Sequence, residues 1–433
     1  MDLNKYFRIS ENGSTVKTEI IAGITTFMTL AYILAVNPDI LSATGMDKGA
    51  VFTATALSAV IATLLMGVWA NLPFALAPGM GLNAYFAFVV CGVMGYSWQF
   101  ALAAILIEGV IFLVLSFFNI REMIVNLMPT CLKKSISVGI GLFIALIGFI
   151  NSGIVVSNDS TVVSFGNITS GTALLTIIGL AITAVMFVKK VPGALLIGIL
   201  VTTVIGFAFG ITQIPSEIIS MPPSLAPIAF KFDFSNVFSI DMVIVVFTFL
   251  FVDIFDTVGT LIGVATKSKM LDEDGNLPGV KQALTCDAVG TVVGAALGTS
   301  TVTTYVESSA GVTVGGRTGL TSVVTAGCLA FSLFFAPVAL MVPSSATAVA
   351  LILVGVFMAS PITEINFEDY TESIPAFLTM VVMPFSYSIA DGIGVGVIAY
   401  TLLKLCGSTE QRKQVNPMVI IVSILFIIKF IVG

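Results

Sequence analysis

The 433-residue chain contains no histidine, so no imidazole is available to carry a proton, ligate a metal or serve as a catalytic base. It is also poor in charge: Asp, Glu, Lys and Arg make up 10% of residues, against 57% hydrophobic ones, which excludes a soluble globular domain. A net charge of −6 leaves no basic surface for nucleic acid, and the acids cluster in loops or lie buried, so no cationic partner is implied. The five cysteines, Cys91, Cys131, Cys286, Cys328 and Cys406, stand singly, which excludes a disulfide framework or a thiolate metal site and leaves them as packing residues. No nucleophile-base arrangement, metal spacing or cofactor motif is present, so the sequence predicts neither an enzyme nor a bound metal or cofactor. The opening MDLNKYFRIS is polar, without the apolar core and small-residue site of a cleaved signal peptide, so the first span is expected to insert the chain.

What the chain does have is a series of apolar runs, many close to the roughly 20 residues that cross a bilayer. They fall at 19–40, 50–71, 74–92, 97–118, 134–152, 171–188, 192–212, 240–266, 280–298, 301–315, 317–342, 345–361, 373–387 and 389–406, with a doubtful further one at 416–432. The stretch 373–406 reads either as two short elements or as one long broken helix, because Pro384 and the Asp391-Gly392 pair interrupt it. Placing the N-terminus in the cytoplasm puts every Lys and Arg inside except Lys48, Lys231 and Lys429, as the positive-inside rule requires. The acids Glu364, Glu368, Asp369 and Glu372 read as a solvated loop, and Asp391 as a cap for the helix that follows it.

Carboxylates inside such spans are expensive and mark function. Asp253 and Asp256 lie three apart in IDMVIVVFTFLFVDIFDTVGTLIGVAT (240–266), so on a helix they share one face and can point together into a polar cavity. Glu307 lies in TSTVTTYVESSAGVTVGG (299–316), too short and too rich in Gly, Ser and Thr for an ordinary spanning helix. Residues 74–92 are similar, with Pro78, Gly79 and Gly81 breaking regular structure just before Asn83. Each of these two broken elements follows two full spans and precedes a long apolar helix, which suggests an internal duplication. If each half holds seven spans, an odd number, the second half enters the membrane upside down and the two broken elements meet near its centre, the arrangement of a transporter site. Their half-helix N-termini would offer N–H groups to a ligand, and the Thr run 301–304 has strand-like composition.

The segments AYILAVNP (31–38), GLNAYFAF (81–88), FVDIFDTVGTLIG (251–263), TSTVTTYVESSAGVTVGGRTGLTS (299–322) and PFSYSIADGIGVG (384–396) together resemble the nucleobase-cation symporter-2 family, in its adenine/guanine/hypoxanthine permease branch. The resemblance extends over essentially the whole chain. It implies an all-α polytopic fold of about fourteen transmembrane segments in two inverted repeats of seven, with short strands in the broken third and tenth segments. It further implies a core domain, residues 1–118 and 240–342, and a gate domain, residues 119–239 and 343–433, with substrate bound between them and dimers formed through the gate. The family's nucleobase-contacting acid of the eighth span falls on Asp256, its glutamate after the Thr-Tyr of the tenth element on Glu307, and its polar residue of the third on Asn83. Uracil and xanthine members carry Glu where this chain has Asp256, so detailed hydrogen-bond geometry does not carry over.

The chemistry of those residues fits a flat, uncharged ring with N–H donors along its edge, since an ionised carboxylate accepts two such donors at once. Tyr305, Tyr85 or Phe86 could stack on the ring, Thr257, Thr260, Ser308 and Ser309 could add hydroxyls, and each has an alternative as ordinary packing between spans. Without histidine, any coupling proton must sit on a carboxylate, with Asp253, Asp256 and Glu307 favoured and Asp287 and Glu108 more plausible as structural acids. The expectation is therefore a multi-pass protein of the cell membrane importing adenine, guanine or hypoxanthine with protons. The alternatives are a channel or facilitator for uracil, xanthine or an anion, and a membrane-bound enzyme; no Lys or Arg lies inside the core spans away from their ends, which disfavours anions.

Overall fold

The computed structural model describes residues 3–117, 129–169, 171–267, 270 and 277–432. Arg121 and Lys269, counted above among the inside basic residues, lie outside these. The first half runs α1 (Leu3–Phe7), α2 (Val16–Leu30), α3 (Ile33–Ser42), α4 (Lys48–Leu65), β1 (Leu76–Pro78), α5 (Met80–Ala84), α6 (Trp98–Phe117), α7 (Thr130–Asn151), β2 (Val155–Asn158), β3 (Val162–Phe165), α8 (Gly171–Val188) and α9 (Ala194–Ala208). The second runs α10 (Ile240–Lys267), α11 (Val280–Leu297), β4 (Val302–Thr304), α12 (Ser308–Val314), α13 (Gly319–Ser332), α14 (Ala336–Leu340), α15 (Ser344–Met358), α16 (Tyr370–Ser386), α17 (Ile389–Cys406), α18 (Thr409–Lys413) and α19 (Pro417–Val432). The helices α4 and α5 continue as wider π-helical turns, Met66–Ala70 and Tyr85–Val93.

Among the described residues, nine helical stretches are long and apolar enough to cross a bilayer, and Met80–Val93, Ala194–Ala208 and Val419–Ile428 are shorter apolar helices. The chain is thus a multi-pass membrane protein. The run expected as one span at 19–40 lies within one 27-residue helical stretch, Val16–Ser42, in which α2 gives way to α3 at Ala31 and Tyr32. The ambiguous stretch 373–406 is two helices, α16 and α17, divided where Tyr387 takes a left-handed backbone with φ 55°. Ser388, not Asp391, caps α17: its hydroxyl accepts from the Asp391 N–H at 3.2 Å. A small hairpin, β2 with β3, follows α7 and was not foreseen from the sequence.

Contacts group the chain into two compact units, Met1–Phe118 with Ile150–Ala350, and Asn119–Phe149 with Leu351–Gly433. In the second unit α16 packs on α17 through glycines, Gly392 lying against Met383 and Gly396 against Thr379. Lys404 of α17 is buried there, 3.6 Å from Asp369, 3.5 Å from Glu372 and 2.8 Å from the Gln414 side chain. The acidic cluster is therefore only partly a solvated loop. Asp369 caps α16, held below the usual carboxylate range first by the Thr371 hydroxyl and then by Lys404. Glu364 pairs with Lys134 at 3.1 Å, and Glu368 is exposed as expected.

The first unit is built on close helix approaches, the usual solution where lipid supplies no hydrophobic drive between helices. On α13, Gly319 faces the end of α4 so closely that a Cβ there would stand 1.9 Å from the Gly67 carbonyl oxygen. Gly327, on the same helix, has open space around its Cβ direction. Gly319→Val is expected to lower stability by about 3 kcal/mol or more, read as a lower thermal midpoint in detergent, while Gly327→Val stays within about 1 kcal/mol of the parent.

Candidate functional site

The two broken elements meet as the sequence predicted. Their strands β1 and β4 pair antiparallel, Leu76 opposite Thr304, Ala77 opposite Thr303 and Pro78 opposite Val302. Two further backbone bonds, Gly79 N to Thr301 O at 3.0 Å and Tyr305 N to Ala75 O at 2.9 Å, extend the ribbon at its two ends. Pairing is compulsory here, because a backbone polar group left bare in hydrocarbon costs several kcal/mol. The groups that the short ribbon cannot satisfy are taken by hydroxyls. Thr63 of α4 both donates to Leu76 O and accepts from Leu76 N, at 3.0 and 2.9 Å. Thr291 of α11 donates to Val302 O at 3.0 Å, and Ser322 of α13 donates to both Leu72 O and Phe74 O.

The ribbon fixes Glu307. It sits at the N-cap position of α12 with its side chain turned away from capping, and it is half-buried. The Tyr32 hydroxyl, at the break between α2 and α3, donates to Glu307 Oε1 at 2.7 Å, and Thr29 donates to the Glu307 carbonyl at 3.3 Å. Asp256, on α10, is also half-buried, whereas Asp253 one turn earlier is fully buried. Tyr305 connects the two accessible acids: its phenol lies within electrostatic reach of both Glu307 and Asp256, and donates to Pro78 O at 2.5 Å.

The other predicted residues divide into tied and accessible groups. Asn83 is fully buried, its amide donating to Pro78 O at 3.4 Å and its oxygen accepting from Ser300. The Ser308 hydroxyl, also buried, accepts from Ala75 N at 2.9 Å. Thr260, one turn beyond Asp256, is half-buried. Asp256 and Glu307 are thus the partly accessible carboxylates, while Asn83 and Ser308 secure the ribbon that leads to Glu307.

Asp287 of α11 has a larger part than the sequence suggested. Its Oδ2 accepts from Thr257, the neighbour of Asp256, at 3.0 Å, and its Oδ1 from Thr304 of β4 at 3.3 Å. One buried acid therefore links the helix bearing Asp256 to the strand leading to Glu307. Two residues escaped sequence reasoning altogether. Tyr32 lies in the quoted AYILAVNP segment, but nothing in that segment discloses a partner 275 positions away. Glu19, a carboxylate early in the first span, was a visible signal that was passed over. It is fully buried and accepts from Arg317 N at 2.9 Å, Thr318 N at 3.2 Å and Thr321 Oγ1 at 2.6 Å, bracing the start of α13, which Thr318 caps.

The sequence matches the permease family over residues 17–428. It is 46% identical to the adenine permease AdeP of Escherichia coli over 99% of this chain and 96% of that protein. It is 44% identical to the guanine/hypoxanthine permease PbuG of Bacillus subtilis over 99% of each. Among solved structures, the transmembrane domain of the cyanobacterial bicarbonate transporter BicA superposes with a TM-score of 0.67 at 15% identity, covering 88% of this chain and 97% of that one. The murine anion transporter Slc26a9 gives 0.63 at 11%, covering 89% and 68%. These two show a shared fold.

Thr257→Val is expected to cost about 1–3 kcal/mol, since it strips a donor from a buried carboxylate. Thermal unfolding in detergent reads the loss, and Thr257→Ser, which keeps the hydroxyl, should recover most of it.

Proposed function

The chain belongs to the permease family, and we propose that it is a secondary transporter importing the purine nucleobases adenine, guanine and hypoxanthine by proton symport. The observation that carries this reading is the pair of accessible carboxylates, Asp256 on α10 and Glu307 just after the paired broken elements, both within electrostatic reach of Tyr305. A purine offers N–H donors at separated points on a planar ring, and two carboxylates on either side of an aromatic residue match that pattern with charge-assisted bonds. The adenine permease AdeP and the guanine/hypoxanthine permease PbuG, aligned along almost their whole length, support the substrate class.

In this reading Asp256 and Glu307 bind the base, Thr260 adds a hydroxyl, Tyr305 lies against the ring, and Asn83 and Ser308 hold the ribbon in place. The coupling proton is shared among Asp253, Asp256 and Glu307, because a chain without histidine has only carboxylates for the task. The architecture proposed is about fourteen segments in two inverted repeats. Residues 1–118 and 240–342 form the core, 119–239 and 343–433 the gate, and core and gate rock to give alternating access. The N-terminus is placed in the cytoplasm by the distribution of Lys and Arg, the membrane is the cell membrane, and the oligomer is a homodimer.

Uptake of radiolabelled adenine, guanine, hypoxanthine and uracil into cells, with and without a protonophore, tests this. Purine uptake should collapse with the protonophore. Glu307→Gln and Asp256→Asn should each lower it roughly 10- to 100-fold, the loss of one hydrogen bond to a charged group. Uptake that survives both substitutions, or that only uracil or an anion shows, overturns the reading.

A further inference from the structure

We infer that Tyr32 is a specificity-determining residue of this site, acting through Glu307 to limit that carboxylate to one ligand donor. The inference rests on the purine reading above. Tyr32 is 1% exposed, and its backbone is fixed where α2 ends and α3 begins, its carbonyl accepting from Ala35 N and Val36 N. Its hydroxyl donates to Glu307 Oε1 at 2.7 Å, while Thr29 holds the Glu307 backbone from the same helix. The ring borders a cavity of about 590 Å³ whose lining, including Phe27, Phe52, Phe331 and Phe335, is almost wholly apolar. That wall gives the phenol little alternative to the carboxylate as an acceptor. The Glu307 side chain makes no capping bond to α12, so Tyr32, together with the Glu307 backbone N–H, sets its rotation.

The consequence is chemical. A free carboxylate presents two oxygens side by side and pairs with two adjacent N–H donors, whereas one whose Oε1 already holds a phenol offers a ligand chiefly Oε2. Guanine carries such an adjacent pair, the ring N1–H and the 2-amino group; hypoxanthine has the N1–H alone. 2,6-Diaminopurine also adds a 2-amino group, to adenine, but beside a bare N1 acceptor, so it presents no adjacent donor pair. With Tyr32 in place, Glu307 gains nothing from guanine's second donor, so the site accepts purines with and without a 2-amino group on similar terms. Removing the phenol frees Oε1 and makes guanine's 2-amino group worth an additional charge-assisted bond.

The test is competition of unlabelled guanine, hypoxanthine, adenine and 2,6-diaminopurine against radiolabelled hypoxanthine uptake, in the parent, Tyr32→Phe and Tyr32→Gln. Tyr32→Phe should shift the inhibition ratio toward guanine over hypoxanthine by roughly tenfold, the equivalent of one such bond, and leave that of 2,6-diaminopurine over adenine unchanged. Tyr32→Gln, which keeps an N–H donor at this position, should hold the parent ratios. Purines weakened by one common factor in Tyr32→Phe, an unchanged guanine-to-hypoxanthine ratio, or a Gln variant that behaves as Phe does, would each overturn the inference. A parent that takes up no purine at all is a different failure, that of the substrate reading itself, and is seen without any variant.

Discussion

Everything at the candidate site depends on the antiparallel pairing of β1 with β4 inside the membrane-spanning part of the chain. A helix satisfies its own backbone, so a span can be interrupted only where another group takes over the freed N–H and C=O. Each broken element here supplies the partner that the other lacks, and Thr63, Thr291, Ser308 and Ser322 satisfy what remains. Once that pairing is made, the chain leaving β4 holds Tyr305 against Ala75 through its N–H and against Pro78 through its hydroxyl, and Glu307 follows two residues on. The position of the Glu307 carboxylate thus follows from backbone hydrogen bonding more than from its own helix.

The same logic explains why α2 lies along α12. Ser14, just before α2, donates to Gly315 O at 3.2 Å; Glu19 accepts from Arg317 N and Thr318 N; Gly311 packs so close to Ala22 and Thr26 that a Cβ would stand within 2.5 Å of backbone; and Thr29 and Tyr32 reach Glu307. Arg317 completes the join by donating its guanidinium to Val312 O and Gly316 O at the end of α12. A seven-residue helix is too short to hold its own position. Splinted along its length by α2, it presents Glu307 at one end as a fixed acceptor, which is what selective recognition of a rigid ring requires.

Sequence patterns disclosed a good deal of this. Apolar runs gave the spans, the Pro78-Gly79-Gly81 and Thr301–Thr304 stretches gave the two interruptions, and the cost of buried charge picked out Asp256 and Glu307. What stayed hidden were the partners. Thr257 and Asp287 are thirty positions apart and Tyr32 and Glu307 far more, and Thr or Tyr in an apolar run is common enough that neither stands out without its neighbour in space. Lys404 misled in a different way: counting charges grouped it with the basic residues at span ends, but only packing shows it buried among Asp369, Glu372 and Gln414. Charge counts report the side of the membrane, not exposure.

The direction of the hydrogen bonds at Asp287 carries one more step. A threonine hydroxyl has a single proton, and Thr257 gives its proton to Asp287 Oδ2. In the 2.7 Å contact between Thr257 and Thr303, Thr303 must therefore be the donor. The Thr303 methyl group at the same time lies where a Cβ on Gly79 would be, 2.6 Å away, so neither its rotamer nor the glycine opposite can change independently. A chain of contacts thus runs from the turn at Gly79, through Thr303 and Thr257, to Asp287, with both hydroxyls oriented toward the carboxylate. Reversing one of them would require reversing the other, which couples the turn before Asn83 to the helix that bears Asp256. The Gly79 turn and α10 are in this way held in register by a fully buried acid.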